Sequence, residues 1–259
     1  MSIRVSVVEL PDNRDRFEMA WPALVSHVDF AESDLIVLPE LTASAWFGTS
    51  STFDQTIWDR VVADHDEMVA KLGQFGNSIV ISSRAAVRNG VRQNVAFIWT
   101  KETGLIDRHA KSLLPEEPGF YEKSWYQESG DVQEPIEVRG ISIGILLCSE
   151  LMWTEKARLL GKQGAQIIAV PRATMAAARW RAGSQMAAIS AGAFVVTANR
   201  NGQADGNPRS EFGGTSMIID PDGNVLAETS REKPFASSSI DLASADQAKA
   251  TYPRDLNYR

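Results

Sequence analysis

The stretch "ISIGILLCSELMWTEKARLLGKQGAQIIAVPRA", residues 141–173, carries most of the information about the fold. It opens on an apolar, β-branched run ending at Leu147. It passes through a short polar break into a helical spacing over Thr154 to Lys162, meets Gly164, and returns to the apolar run "AQIIAVP". Short apolar runs rich in β-branched residues suit strands, and a glycine just past a helical segment suits a left-handed cap. Strand, helix and strand within 33 residues describe an α/β unit.

The same two patterns recur outward from it. "IRVSVVEL", "DLIVLPEL", "NSIVISSRAAV", "NVAFIWT", "AFVVTANR" and "TSMIIDPDG" read as further strands. Asp54 to Leu72 and Arg179 to Ala191 read as further helices, each ending near a glycine, Gly73 and Gly192. Asn89-Gly90 and Asp222-Gly223 mark hairpin turns between strands with no room for a helix, so the sheets are expected to be mixed. The stretch "RNGQADGNPRSEFGGTS" (200–216) is the longest irregular region and is expected to form a rim or lid loop. No repeat, linker or low-complexity tract divides the chain, and a single domain over 1–259 is expected.

Composition excludes several functions. A net charge of -7 with a pI near 5.1 argues against nucleic acid, which demands a clustered positive face. No apolar stretch has bilayer-spanning length, and "MSIRVSVVEL" acquires charge too early for a signal peptide, so a cytoplasmic protein with no membrane partner is expected. One cysteine and three scattered histidines (His27, His65, His109) give no disulfide and no zinc spacing, so no metal and no cofactor are expected.

That one cysteine, Cys148, stands at the end of a strand, as does Glu40 after "DLIVLP"; Lys111 follows "LIDRHA". Strand ends converge on the crevice in α/β folds. A thiol needs a base to become a nucleophile, a carboxylate supplies one, and an ammonium stabilises an oxyanion, so together the three types suit acyl transfer from an amide-like carbon. Taken singly, each has an ordinary explanation: a packed cysteine, a solvated glutamate, a lysine in an exposed basic turn.

Their joint setting is more specific. "LIVLPEL", "DRHAKSLLPEEPGFYEKSWY" and "GILLCSELMWTEKARLLGKQGAQIIAVPRA" resemble, in order, the three signature regions of the nitrilase (carbon–nitrogen hydrolase) superfamily. "FVVTANRNG", "FGGTSMIIDPDGNVLAE" and the final "YPRDLNYR" are similar to its downstream segments. The resemblance implies a four-layer αββα sandwich with two mixed sheets, a homodimer, and a cysteine-dependent hydrolase of a small amide or carbamoyl compound working through a thioester. A nitrilase, or an acyltransferase or glutaminase unit of the same superfamily, is the alternative. Carried over by position, Glu40 is the general base, Lys111 the oxyanion and amine-side stabiliser, Cys148 the nucleophile, and the Ser149 backbone N–H a second oxyanion donor. A further catalytic glutamate is placed at Glu122 because "PGFYEKSWY" is similar to the carbamoylputrescine amidases; Glu116 and Glu117 compete for that role. The charged ends of Glu40 and Lys111 are expected to face a cleft.

Substrate is read from departures. Glu150 stands where the family's amidases usually have aspartate, and Leu151, Met152 and Trp153 stand where carboxylate-binding relatives tend to carry arginine. A small neutral or cationic amide is therefore expected. Arg172 in "VPRAT" is the possible substitute anchor, an external salt bridge being its ordinary alternative. Tyr126 and Trp153 are expected beside the substrate, and "ARWRAGSQMAAISAG" (178–192) at or near the dimer interface, although its small residues also suit an internal helix.

Overall fold

The computed structural model of the chain describes residues 1–130, 133–204 and 210–256. In chain order the elements begin with β1 (Ser2–Pro11), α1 (Arg14–Phe30), β2 (Leu35–Val37), α2 (Gln55–Lys71), β3 (Ile79–Arg88), β4 (Val91–Thr100) and β5 (Gly104–Ala110). A small hairpin, β6 (Glu116–Glu117) and β7 (Phe120–Tyr121), leads into the single turn α3 (Glu122–Trp125). Next come β8 (Ile136–Val138), β9 (Ile141–Ile145), α4 (Thr154–Lys162), β10 (Ile167–Arg172), α5 (Ala178–Ala191) and β11 (Phe194–Gln203). The chain ends with β12 (Glu211–Gly213), β13 (Met217–Ile219), β14 (Val225–Glu228), β15 (Phe235–Asp241) and α6 (Leu242–Lys249).

Two sheet halves meet along β1. Its first part lies between β2, parallel, and β15, antiparallel, while Glu9, Leu10 and Pro11 pair in parallel with Asn199, Arg200 and Asn201 of β11. The strand order β5-β4-β3-β2-β1-β11-β10-β9-β8 therefore runs through both halves, and both mix parallel with antiparallel neighbours. Alternation along each strand builds the layers. Val5, Val7, Val37 and Ile81 of one half meet Ile143, Ile145, Ala169 and Val196 of the other in a shared core. The alternate residues Val8, Ile36, Leu38 and Val80 pack under Phe17, Trp21 and Leu24 of α1 and Met68 of α2. On the far side Leu146, Ile168 and Val195 pack under Leu160 of α4 and Ala188 of α5. Helices, sheet, sheet and helices give the four-layer αββα sandwich.

The Asn89-Gly90 turn has positive φ at both residues, 53° and 77°, and closes β3 on β4 with Arg88 opposite Val91. The Asp222-Gly223 turn joins antiparallel β13 and β14. Gly164 and Gly192 take the left-handed conformation expected of them, but Gly73 does not: α2 runs on into a tight 3₁₀ turn, Leu72–Phe75, and Gly76 makes the reversal. Part of the expected loop over 200–216 is hairpin, since β11 continues to Gln203 and β12 pairs back on it; residues 205–209 lie outside the described residues. The small residues of α5 serve a contact inside the chain. A Cβ on Gly161 of α4 would lie 2.1 Å from the carbonyl oxygen of Ala191, so the two helices touch backbone to backbone. No helix among the described residues is long and apolar enough to cross a membrane.

Candidate active site

Glu40 leaves the end of β2 on a strained turn. Its N–H donates to the carbonyl of Arg172 at the end of β10 (3.3 Å), and the next residue, Leu41, is forced to a φ of 47°. That conformation disfavours a side chain and persists only when the surroundings impose it. Here Arg200 imposes it: the buried guanidinium pairs with Asp12 and donates to the carbonyls of Glu40 (3.3 Å), Leu41 (2.7 Å) and Ser44.

Lys111 follows β5, its own N–H tied to the carbonyl of Asn94 on β4 at 2.9 Å. Its Nζ donates to Glu40 Oε1 (2.8 Å) and to both oxygens of Glu122 (2.8 and 2.7 Å), which commits all three ammonium hydrogens. Asn94 Nδ2 also donates to Glu40 Oε1, at 2.8 Å, so that oxygen is doubly held while Glu40 Oε2 is buried with no partner. Glu122 opens α3 and accepts from the Tyr126 hydroxyl at 2.5 Å; its competitors Glu116 and Glu117 are exposed in the small hairpin. The expectation of an open cleft is corrected: Glu40 and Lys111 are both 0% exposed, because β4, α3 and the Arg200-clamped turn close around them.

Cys148 begins a 3₁₀ turn, Cys148–Met152, at a φ of 48°, and is 4% exposed. Its Sγ lies 3.8 Å from the carbonyl oxygen of Ala173, and it couples electrostatically to Glu40, Lys111 and Glu122. Glu150 locks the turn in place. Its carboxylate accepts from the N–H of Leu147 (2.8 Å), the N–H and hydroxyl of Ser112 (2.9 and 2.6 Å), His109 Nε2 (3.0 Å) and Gln133 Nε2 (2.8 Å). One buried side chain thus ties the residue before the cysteine to the residue after the lysine. Ser149 adds a second tie through its hydroxyl to the carbonyl of Leu113.

Burial pushes the Cys148 thiol well above its ordinary range; Glu40 and Glu122 push it further and Lys111 pulls it back. The resting sulfur is a thiol. Burial alone would lower the Lys111 ammonium, but Glu122 and then Glu40 override it and hold the charge. Burial lifts Glu122 to about 7, opposed chiefly by Lys111. Burial acts the same way on Glu150, but His109, Leu147 and Ser112 hold it down at about 2. A carboxyl whose folded pKa is raised stabilises the fold below its unfolded value and loses that contribution as pH rises through the folded one. Replacing Glu122 by Gln should therefore remove a decline in stability between about 4.5 and about 7. Melting temperatures of both proteins across that interval should diverge in favour of the variant as pH rises.

Of the remaining expected site residues, Tyr126 is buried against Glu122, whereas Trp153 is 51% exposed where the 3₁₀ turn meets α4. Arg172 is buried and donates to neutral oxygens, not into an external salt bridge. No group of three or more metal-ligating residues occurs among the described residues.

A profile described as carbon–nitrogen hydrolase matches residues 8–250. Among characterised proteins the chain is 28% identical to 2-oxoglutaramate amidase of Bacillus subtilis, covering 85% of this chain and 83% of that one. It is 27% identical to (R)-stereoselective amidase of a Pseudomonas species, over 88% and 78%. Among solved structures, a carbon–nitrogen hydrolase from Helicobacter pylori superposes with a TM-score of 0.86 at 21% identity, covering 100% and 96%. A variant of the amidase from Nesterenkonia sp. AN1, with the acetamide moiety of fluoroacetamide on its active-site cysteine, superposes at 0.78 and 18% identity, covering 95% and 92%. At these identities the structural likeness is one of fold.

Proposed function

The chain belongs to the carbon–nitrogen hydrolase family, and from that premise we propose that it hydrolyses the C–N bond of a small amide through a thioester on Cys148. The observation that carries this reading is the buried carboxylate of Glu40, with one oxygen held by Lys111 and Asn94 and the other unpartnered, in electrostatic reach of a thiol that is protonated at rest. Such a thiol needs a base at the moment of attack.

In this mechanism Glu40 Oε2 takes the thiol proton as the sulfur bonds to the carbonyl carbon. The oxyanion is met by the Ser149 N–H and by Lys111 Nζ. Because Glu122 holds the ammonium twice, one of those bonds is free to be exchanged for the oxyanion while the other keeps Nζ in place. Collapse breaks the C–N bond, and Glu40 returns the proton to the departing nitrogen, releasing ammonia from a primary amide. Water then attacks the thioester, gives a proton to Glu40, and expels the sulfur, which recovers that proton; the products are a carboxylic acid and free enzyme. The amidase names of the Bacillus and Pseudomonas relatives support an amide over a nitrile.

Ammonia release over a panel of aliphatic amides, carbamoyl amines and nitriles tests the reading. Turnover of amides supports it; turnover confined to nitriles, or none at all from properly folded protein, overturns it. A homodimer is part of the proposal. Half-exposed Leu159 on α4 and Met186 on α5 leave apolar surface on the outer helical layer. Light scattering at micromolar protein should give twice the 28.4 kDa chain mass, and a strict monomer would remove the dimer without touching the chemistry.

A further inference from the structure

We infer that Arg172 is an anion anchor, and that the amide processed at Cys148 carries a carboxylate on its acyl side. This rests on the hydrolase reading above and names its substrate class. The main chain of Arg172 is built into the site: its carbonyl accepts from Glu40, and the following carbonyl, of Ala173, lies 3.8 Å from Cys148 Sγ. Its side chain is 2% exposed.

A guanidinium has five N–H donors. In Arg172, Nη1 donates to the hydroxyl of Thr174 (2.7 Å) and Nη2 to the carbonyl of Thr215, both neutral, while Nε is buried with no partner. The contrast with two other buried cations is informative: Lys111 faces two carboxylates and Arg200 faces Asp12, yet Arg172 faces none among the described residues. Glu9, whose charge reaches it, is spent elsewhere, accepting from the N–H of Thr215 (2.6 Å) and the hydroxyl of Thr229 (2.8 Å). Glu9 thus fixes Thr215, whose carbonyl receives the guanidinium, and acts on the charge of Arg172 only through space, with no ion pair between them.

A buried charge short of partners is costly, and a ligand carboxylate arriving on the planar fork of an arginine removes that cost with two charge-assisted hydrogen bonds. Burial holds the guanidinium down to about 10, partly offset by Cys148 and Glu9, and it remains charged at neutral pH. Glu40 Oε2 supplies the complement, an unpartnered acceptor for an amide nitrogen. An orphan acceptor and an orphan donor, both in electrostatic reach of the one sulfur, suit a ligand with an amide at one end and an anion at the other. The expectation of a neutral or cationic substrate rests on the absence of arginine just after Cys148, with Arg172 as the possible substitute anchor. The anchor comes from the next strand instead.

The test separates binding from turnover. Cys148→Ala protein is titrated calorimetrically with succinamate and glutaramate, each beside its neutral methyl-ketone isostere, 4-oxopentanamide and 5-oxohexanamide. At least one anionic compound should bind about 100-fold more tightly than its isostere, the range for a buried hydrogen-bonded charge pair. Adding Arg172→Met should erase that preference. Arg172→Lys, which keeps the charge and loses the fork, should weaken only the anionic compound, by about tenfold. Equal binding within both pairs, or an Arg172→Met effect equal on both members, overturns the inference. Anion preference without ammonia release by the Cys148 enzyme would fail the hydrolase reading and leave the anchor standing. Equal kcat/KM for an amide and its isostere would do the reverse.

Discussion

Cys148→Ala protein is expected to release no measurable ammonia from any amide the wild type accepts, while melting at nearly the same temperature. The proposed mechanism routes every turnover through a covalent bond to one sulfur, and the chain has no second thiol to take its place. The change deletes a single buried atom whose one hydrogen-bond contact is a long one to Ala173, so the fold loses little. Iodoacetamide should label the wild type once per chain and inactivate it in step, substrate should slow the labelling, and the variant should take no label. Wild-type turnover by Cys148→Ala would end the hydrolase reading outright.

Lys111→Met is expected to be inert as well, but for a mixed reason. In the wild type one ammonium holds Glu40 and Glu122 together inside the protein, with all three groups out of water. Removing one partner of a buried pair costs about 3–5 kcal/mol because an uncompensated charge stays behind, here that of Glu40 together with Glu122 wherever the latter is ionised. Urea midpoints should fall accordingly, and should recover on acidification, since without the ammonium the Glu122 carboxyl is pushed up further and is neutralised sooner. Glu40→Gln makes the comparison. The amide keeps an oxygen for Lys111 and removes one of the two negative charges, so the fold should hold while the rate falls by about 10²–10⁴. A Lys111→Met protein as stable as wild type at neutral pH would mean that the three groups are not charged together.

What the chain reveals unaided has a physical boundary. Glu40 and Cys148 are legible because each ends an apolar run, and an apolar run that stops on a nucleophile or an acid is a local pattern. The strands are legible for the same reason, as short apolar runs, whereas their stacking into four layers comes from the family resemblance and not from the runs themselves. Glu122 is harder. Three glutamates lie within seven residues, and only the small hairpin, with Gly119 at a φ of 93°, decides which of them turns back onto Lys111. Asn94 gave no signal, since a polar residue at the start of "NVAFIWT" reads as the edge of a strand, yet its side chain and its carbonyl hold two site residues at once. Glu150 reads in the sequence only as a marker of subfamily; its work as a junction depends on Ser112 and His109, which are distant in sequence. Helix α1 is hard to see in the sequence: Phe17, Trp21, Leu24 and Val28 keep helical spacing, but Pro22 lies within the pattern, and the structure accommodates that proline inside the helix.

The embrace of β1 by β11 and β15 bears on how the protein comes into being. A nascent chain that has reached Ala191 already contains Glu40, Lys111, Glu122, Cys148 and Arg172, but the arginine that clamps the Glu40 turn has not been made, and its contact spans 160 residues. The amino-terminal strand must wait longer still, because Ser2 finds its partner at Asp241. Contacts of that span are slow to form and leave strand edges bare meanwhile. Competence should therefore arrive only once synthesis has passed Arg200 and β15, two elements that close the site without contributing a reacting atom.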